Sequence, residues 1–237
     1  MSDGPTLVLI PGLGADAEIY RPQREYFGER LVIPPWIEAR KDEPLSDYSR
    51  RLARVIDAME VPKPYWIGGC SFGGMVAGEI AEARPGDVAG LLLIASCRRR
   101  EQVTRLFRLA ASVGPKLPFG VLRASLNRVV PRLFAAAERF DDDPELSEIL
   151  MEVAYRTDVS LAKWAARAIR DWSDGAHPTC EVYYAHGGDD LVIPPYSNDL
   201  RPGIDLLVPG GRHLIHLTHA SVVNRWIASK IDAPRLT

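Results

Sequence analysis

The sequence has little cysteine: Cys70, Cys97 and Cys180 are the only three in 237 residues. They are too few and too scattered for a disulfide framework or a zinc site, and the odd count leaves at least one thiol unpaired, so a reducing compartment is expected. An excess of charge of one sign is also missing. Lys and Arg number 29 against 31 Asp and Glu, a formal net charge of −2. Wholesale nucleic-acid binding needs a strongly basic face to displace counterions, so nucleic acid is not the expected partner. Long hydrophobic runs are lacking too. The opening stretch has no basic region, its apolar run from Leu7 stops at Pro11, and no segment reaches the ~18 apolar residues of a membrane span. A cytoplasmic protein is expected. What remains is 46% hydrophobic and 25% charged, a length that fits one large domain or one domain with an insertion.

Six short apolar runs recur along the chain, spanning 6–10, 31–33, 65–70, 90–96, 181–186 and 204–208. Each ends in turn residues, and helical patterns lie between them, which is the signature of parallel strands joined by crossover helices. Leu52, Val55, Ile56 and Met59 make one helical stripe; Val222, Val223, Trp226, Ile227 and Ile231 make another. From Cys97 to about His177 only helical patterns occur, with Leu122, Leu126, Val129 and Leu133 on one face and Leu161, Trp164 and Ala168 on another. An insertion of that size between two strands reads as a helical cap, cut into about four pieces by Pro115, Pro118, Pro131, Pro144 and Pro178. The expected division is a core of residues 1–96 and 178–237 with a cap of residues 97–177.

The strongest chemical signal is Gly69-Cys70-Ser71-Phe72-Gly73, which matches G-x-S-x-G between a strand and an apolar helix. A serine on so sharp a turn is held in a strained conformation, and neighbours without side chains let strand and helix approach. Its hydroxyl then projects near a helix N-terminus, where free N–H groups favour developing negative charge. Cys70 is the poorer nucleophile candidate, because shifting the pattern by one puts Phe72 where a small residue is needed.

Over nearly its whole length the chain resembles the α/β-hydrolase superfamily, in which nucleophile, acid and histidine follow in that chain order, each after a strand. The resemblance implies a three-layer fold with a mainly parallel sheet of about six strands, in the order second, first, third, fourth, fifth, sixth. Only five residues precede Thr6, so the N-terminal hairpin common in the family is not expected. Gly187 to Pro194 resembles the family's G-x-x-D-x-x-V-P acid loop, and that register selects Asp190 over Asp189. His213, after Gly210 and Gly211, occupies the family's histidine position, with His177, His186, His216 and His219 as competitors. The three-residue spacing of His213, His216 and His219 is a poor metal signal, since such a stripe drifts around a helix without a carboxylate at a ligand offset. Pro11-Gly12-Leu13-Gly14 is similar to the family's oxyanion loop, although Pro11 stands where many members have His. By that match the N–H groups of Leu13 and Phe72 form the oxyanion hole.

The resemblance implies a serine hydrolase cleaving a carboxylic ester of modest size through an acyl-enzyme, with catalytic Ser71, Asp190 and His213 and neither metal nor organic cofactor. Serine rather than a carboxylate at the elbow disfavours dehalogenase and epoxide-hydrolase chemistry. Thioesterase, lactonase, carbon–carbon hydrolase, perhydrolase and hydroxynitrile lyase chemistries use similar triads, and a receptor with little turnover keeps the same pocket. Arg98 to Phe140 carries nine arginines and Lys116 against Glu101 and Glu138, with five acids following. That asymmetry suits either solvated helix faces or an anionic substrate or membrane surface, the latter as in a lipase that docks through its cap. Trp36, Tyr155, Trp164 and Trp172 are candidates for an acyl pocket, with core packing the default role.

Overall fold

The computed structural model describes residues 4–129, 132, 138, 144–195 and 203–233. Strands β1 (Leu7–Ile10), β2 (Leu31–Val32), β3 (Tyr65–Cys70), β4 (Val88–Ile94), β5 (Val182–Gly187) and β6 (Leu206–Val208) form one sheet in the order β2-β1-β3-β4-β5-β6. Every pairing is parallel, so each strand is followed by a crossover on one face or the other. The expected strand order is the observed one.

The helices are α1 (Arg21–Phe27), α2 (Leu45–Ala58), α3 (Phe72–Ala83), α4 (Arg105–Val113), α5 (Phe119–Ala124), α6 (Pro144–Arg156), α7 (Val159–Asp171), α8 (Ile215–Thr218) and α9 (Ala220–Ile231). Central strands are apolar on both faces because helices cover both. Alternation in β1 shows how: Val8 and Ile10 pack with Leu45, Tyr48, Leu52 and Ile56 of α2, while Leu7 and Leu9 pack with Phe27 of α1 and Val223, Trp226 and Ile227 of α9. The edges are short. Pro34 and Pro35 follow β2 and cannot donate to a ladder, and β2 is only half-buried.

The α2 stripe departs from expectation at one end. Leu52 and Ile56 are buried, but Met59 lies just past the last helical residue and is exposed. Between β4 and β5 the described residues form helices α4 to α7, 3-10 turns and a π-helical turn over Ser125–Val129. Leu122 and Leu126 face a cavity there, Val129 is exposed, and Leu133 falls outside the described residues. Helix α7 is the deepest of this group, burying Leu161, Trp164, Ala165 and Ala168. Its N-terminus is capped by Asp158, whose carboxylate accepts from Ser160 N–H at 2.6 Å and Leu161 N–H at 3.3 Å.

Candidate active site

Ser71 sits between the end of β3 and the start of α3 with φ 53° and ψ −123°, a left-handed conformation that costs an L-residue of order 1–3 kcal/mol. The surroundings hold it there. Its N–H donates to Ile94 C=O at 3.0 Å, and the Ser96 hydroxyl donates to its carbonyl at 2.6 Å. Gly73 permits the close pass of α3 over β1, since a β-carbon there would run into the Ile10 and Pro11 carbonyl oxygens. Tyr20 extends the β1–β3 ladder by one rung: its hydroxyl donates to Ile10 C=O at 3.0 Å and accepts from Cys70 N–H at 2.7 Å.

Asp190 follows β5 and His213 follows β6, so parallel strands deliver both to the edge where Ser71 lies. His213 Nδ1 is 2.9 Å from Asp190 Oδ2. The other Asp190 oxygen accepts from Val192 N–H at 2.8 Å and Ile193 N–H at 3.0 Å, which fixes the carboxylate plane. Burial works to raise the Asp190 carboxyl, but the His213 charge, the bond to it and the two backbone donors outweigh burial and hold it below the ordinary value. His213 shows the mirror image. Burial pushes the imidazole down, while the charge and hydrogen bond of Asp190, with a contribution from Glu138, bring it above the ordinary value. Asp189, the other acid of the loop, is exposed.

Ser71, His213, Leu13 and Phe72 all line one cavity of about 380 Å³, inside the size range of small-molecule sites. Among the described residues the Ser71 hydroxyl has no hydrogen-bond partner, and neither Leu13 N–H nor Phe72 N–H is engaged by a backbone carbonyl. Among the described residues Asp190 and His213 are thus joined, while the Ser71 hydroxyl and the Leu13 and Phe72 N–H groups make no such bond; hydrogen bonds of a catalytic site often tighten only with substrate bound. The cavity walls are aliphatic, with Met75, Val103, Leu122, Leu126, Ile169 and Ile193 among them, and Lys163 donates to Leu117 C=O at 2.8 Å rather than standing free.

The aromatic candidates lie elsewhere. Trp164 is buried against Tyr48 at 4.1 Å between rings, Trp36 stacks on Phe72 at 5.8 Å, Trp172 donates to Glu79, and Tyr155 is exposed. These tryptophans shape the core behind the elbow, and Phe107, between β4 and β5, lines the cavity. The competing histidines are also apart from the acid. His216 is buried against the Tyr20 ring and burial drives it down to about 3, keeping it neutral; His186 stacks on Tyr184. His177 contacts Asp174 C=O and His219 contacts Thr218. Among the described residues no group of three His, Cys, Asp or Glu side chains is placed to hold a metal ion.

Three polar groups next to the site carried little sequence signal. Ser96 ends a strand run and Tyr20 sits in a 3-10 turn, so neither belongs to a motif. Glu138 lies in the insertion, yet its carboxylate accepts from His213 N–H and Leu214 N–H, both at 3.0 Å.

Comparison with known proteins bears on the fold and the family. No curated relative matches the chain. Among solved structures it resembles a thermophilic esterase from Thermogutta terrifontis with a TM-score of 0.79, at 17% identity over 97% of this chain and 90% of that one. An enol-lactonase from Burkholderia xenovorans gives a TM-score of 0.76 at 15% identity, covering 98% and 93%. A bromoperoxidase from Bacillus anthracis gives 0.74 at 15% identity, again covering 98% and 93%. At such identities the likeness speaks for the fold. The sequence match is the stronger link: the family model described as alpha/beta hydrolase family matches residues 7–226, from the first strand into the last helix. With its strand order, elbow and loop register all of one pattern, the chain belongs to the alpha/beta hydrolase family.

Proposed function

We propose that the protein is a serine hydrolase that cleaves carboxylic esters with an apolar acyl group. The observation that carries this reading is the placement of Ser71 and His213 on one cavity wall with Asp190 bonded to the far side of the imidazole. In the proposed reaction His213 takes the proton as Ser71 Oγ attacks the ester carbonyl, and Asp190 stabilises the imidazolium. The N–H groups of Leu13 and Phe72 receive the oxyanion, since no described backbone carbonyl competes for them. Collapse of the adduct expels the alcohol, which takes the proton from His213. Water, deprotonated by the same imidazole, then releases the acid and restores Ser71.

The aliphatic walls favour an uncharged acyl chain, because a charged substrate group buried there would lose its hydration with little to replace it. In this reading residues 97–177 form a cap on a core of 1–96 and 178–237, the location is cytoplasmic, and the partner is a small ester rather than nucleic acid or a membrane. Several cap arginines are already spent within the fold: Arg98 on the Tyr184 hydroxyl, Arg100 on Arg170 C=O and Arg123 on Thr157 C=O. None of the described helices is long and apolar enough to cross a membrane.

The test is labelling with a fluorophosphonate together with hydrolysis of p-nitrophenyl esters of rising chain length. Wild type should label and turn over, and Ser71→Ala should do neither. A folded wild type that neither labels nor hydrolyses any ester would refute the reading.

A further inference from the structure

Among the buried titratable groups that the proposed mechanism leaves unused is Glu138, whose carboxylate is bonded to the backbone of the proposed base. Glu138 is 7% exposed, and each of its carboxylate oxygens accepts one backbone N–H, from His213 and from Leu214. Those two N–H groups belong to the peptide units on either side of the His213 α-carbon. Holding both planes fixes φ and ψ of His213, and the Asp190 bond to Nδ1 then fixes the ring. Burying a carboxylate is costly unless it is bonded, and here the bonds go to the residue whose orientation the chemistry needs most.

We infer that Glu138, carried by the chain between β4 and β5, is a positioning residue for the proposed base, so that the catalytic imidazole is correctly set only while this part of the insertion is docked. The inference rests on the assignment of Ser71 and His213 above. A second contact joins the insertion to the opposite side of the site: the Thr157 side chain packs on Gly14 of the oxyanion loop, its hydroxyl 3.2 Å from Gly14 C=O and 2.9 Å from Val153 C=O, with one proton shared between the two acceptors. The two anchors lie at different points of the insertion and reach different loops. Docking therefore bears on both the base and the oxyanion donors.

Charge gives the role a signature that simple packing lacks. Among the described residues, the ionisable groups facing His213 include Asp190 and Glu138, with neutral His216 and the buried Cys70 thiol nearby; Glu138 itself faces His213, Asp190 and Cys70. Removing the Glu138 charge takes away an anion that favours the imidazolium. The acid limb of kcat/KM then moves to lower pH.

The experiment compares wild type with Glu138→Gln, Glu138→Ala and Glu138→Asp on one p-nitrophenyl ester. Glu138→Gln keeps the shape but turns an NH2 toward one of the donors; kcat should fall roughly 10- to 100-fold with little change in KM, as for a displaced catalytic group. Its acid limb should shift down. Glu138→Asp restores the charge with a shorter reach, so its acid limb should return toward wild type while kcat recovers only in part. Wild-type kcat and an unmoved acid limb in both Gln and Ala variants would overturn the inference. Fluorophosphonate labelling separates the two failures: labelling lost with Ser71→Ala but intact and unslowed in the Glu138 variants defeats this inference alone, whereas an unlabelled wild type defeats the site assignment and this inference with it. If the variants do not fold, wild-type NMR decides. The His213 and Leu214 amide resonances should titrate together with the Glu138 carboxyl, and amides that ignore that titration would overturn the inference.

Discussion

At the scale of single residues the deciding quantity in the proposed reaction is the protonation of His213. A base must be neutral to accept the serine proton, and its position above the ordinary imidazole value of about 6.5 means that kcat/KM should fall with acid along a limb whose midpoint lies above that value. A pH–rate profile with its midpoint below about 6.5 would contradict that direction. The same shifts set the stability contribution. His213 is raised on folding, so its share of stability is full below about 6.5 and is lost as pH rises through the folded value. Asp190 is lowered, so its share is present above about 3.9 and is lost as pH falls through its folded value. Asp190→Asn keeps the shape but favours the wrong tautomer, and kcat should drop about 10⁴-fold in a stopped assay while fluorescence melting shows a folded protein. A loss of less than tenfold would remove Asp190 from the mechanism. The placement of Asp190 rather than Asp189 against His213 was legible in the sequence, because glycine and proline at either end of the loop set a register that leaves Asp189 exposed. Glu138 was not, since a carboxylate in a charged helical stretch reads like any solvated acid until the fold brings it to a backbone 75 residues away.

Elements behave differently from residues because their positions depend on backbone approach. Strands were readable wherever both faces are covered, as in Tyr65–Cys70, which is buried throughout. Helix α2 was readable from its stripe, but Met59 followed the same spacing beyond the helix end, where periodicity continues and the backbone does not. Two glycines test the contrast between crowded and open elements. Gly73→Ala should destabilise the protein by about 1–3 kcal/mol or more, because the obstacles are the carbonyl oxygens of Ile10 and Pro11 rather than side chains that could turn away. Gly120→Ala, inside α5 with nothing within 4 Å of the added carbon, should stabilise that helix by about 0.5–1 kcal/mol. Urea unfolding of the two variants checks the signs; equal effects would mean that the elbow is not the tight crossing described.

On the scale of the whole molecule, parallel topology explains why residues as far apart as Leu13, Ser71, Asp190 and His213 meet. They follow β1, β3, β5 and β6, and every strand points the same way, so all four loops open at one sheet edge. Described residues of the long chain between β4 and β5 line the cavity at that edge, and in the proposed function the chemistry of those walls sets what binds. The aromatic residues it offered to a sequence reader went mostly to the core, leaving aliphatic walls whose composition follows from tertiary packing that no local pattern reveals. Those walls predict a quantitative preference. Each methylene removed from water is worth about 0.8 kcal/mol, so kcat/KM should climb about fourfold per added acyl carbon until the cavity is full, then level off. Ala166 of α7 lines this wall, and Ala166→Phe should lower the chain length at which levelling begins while leaving the acetyl ester unaffected. A uniform loss across all chain lengths would show instead that the substitution disturbs the reacting groups, and would place the acyl chain somewhere other than beneath α7.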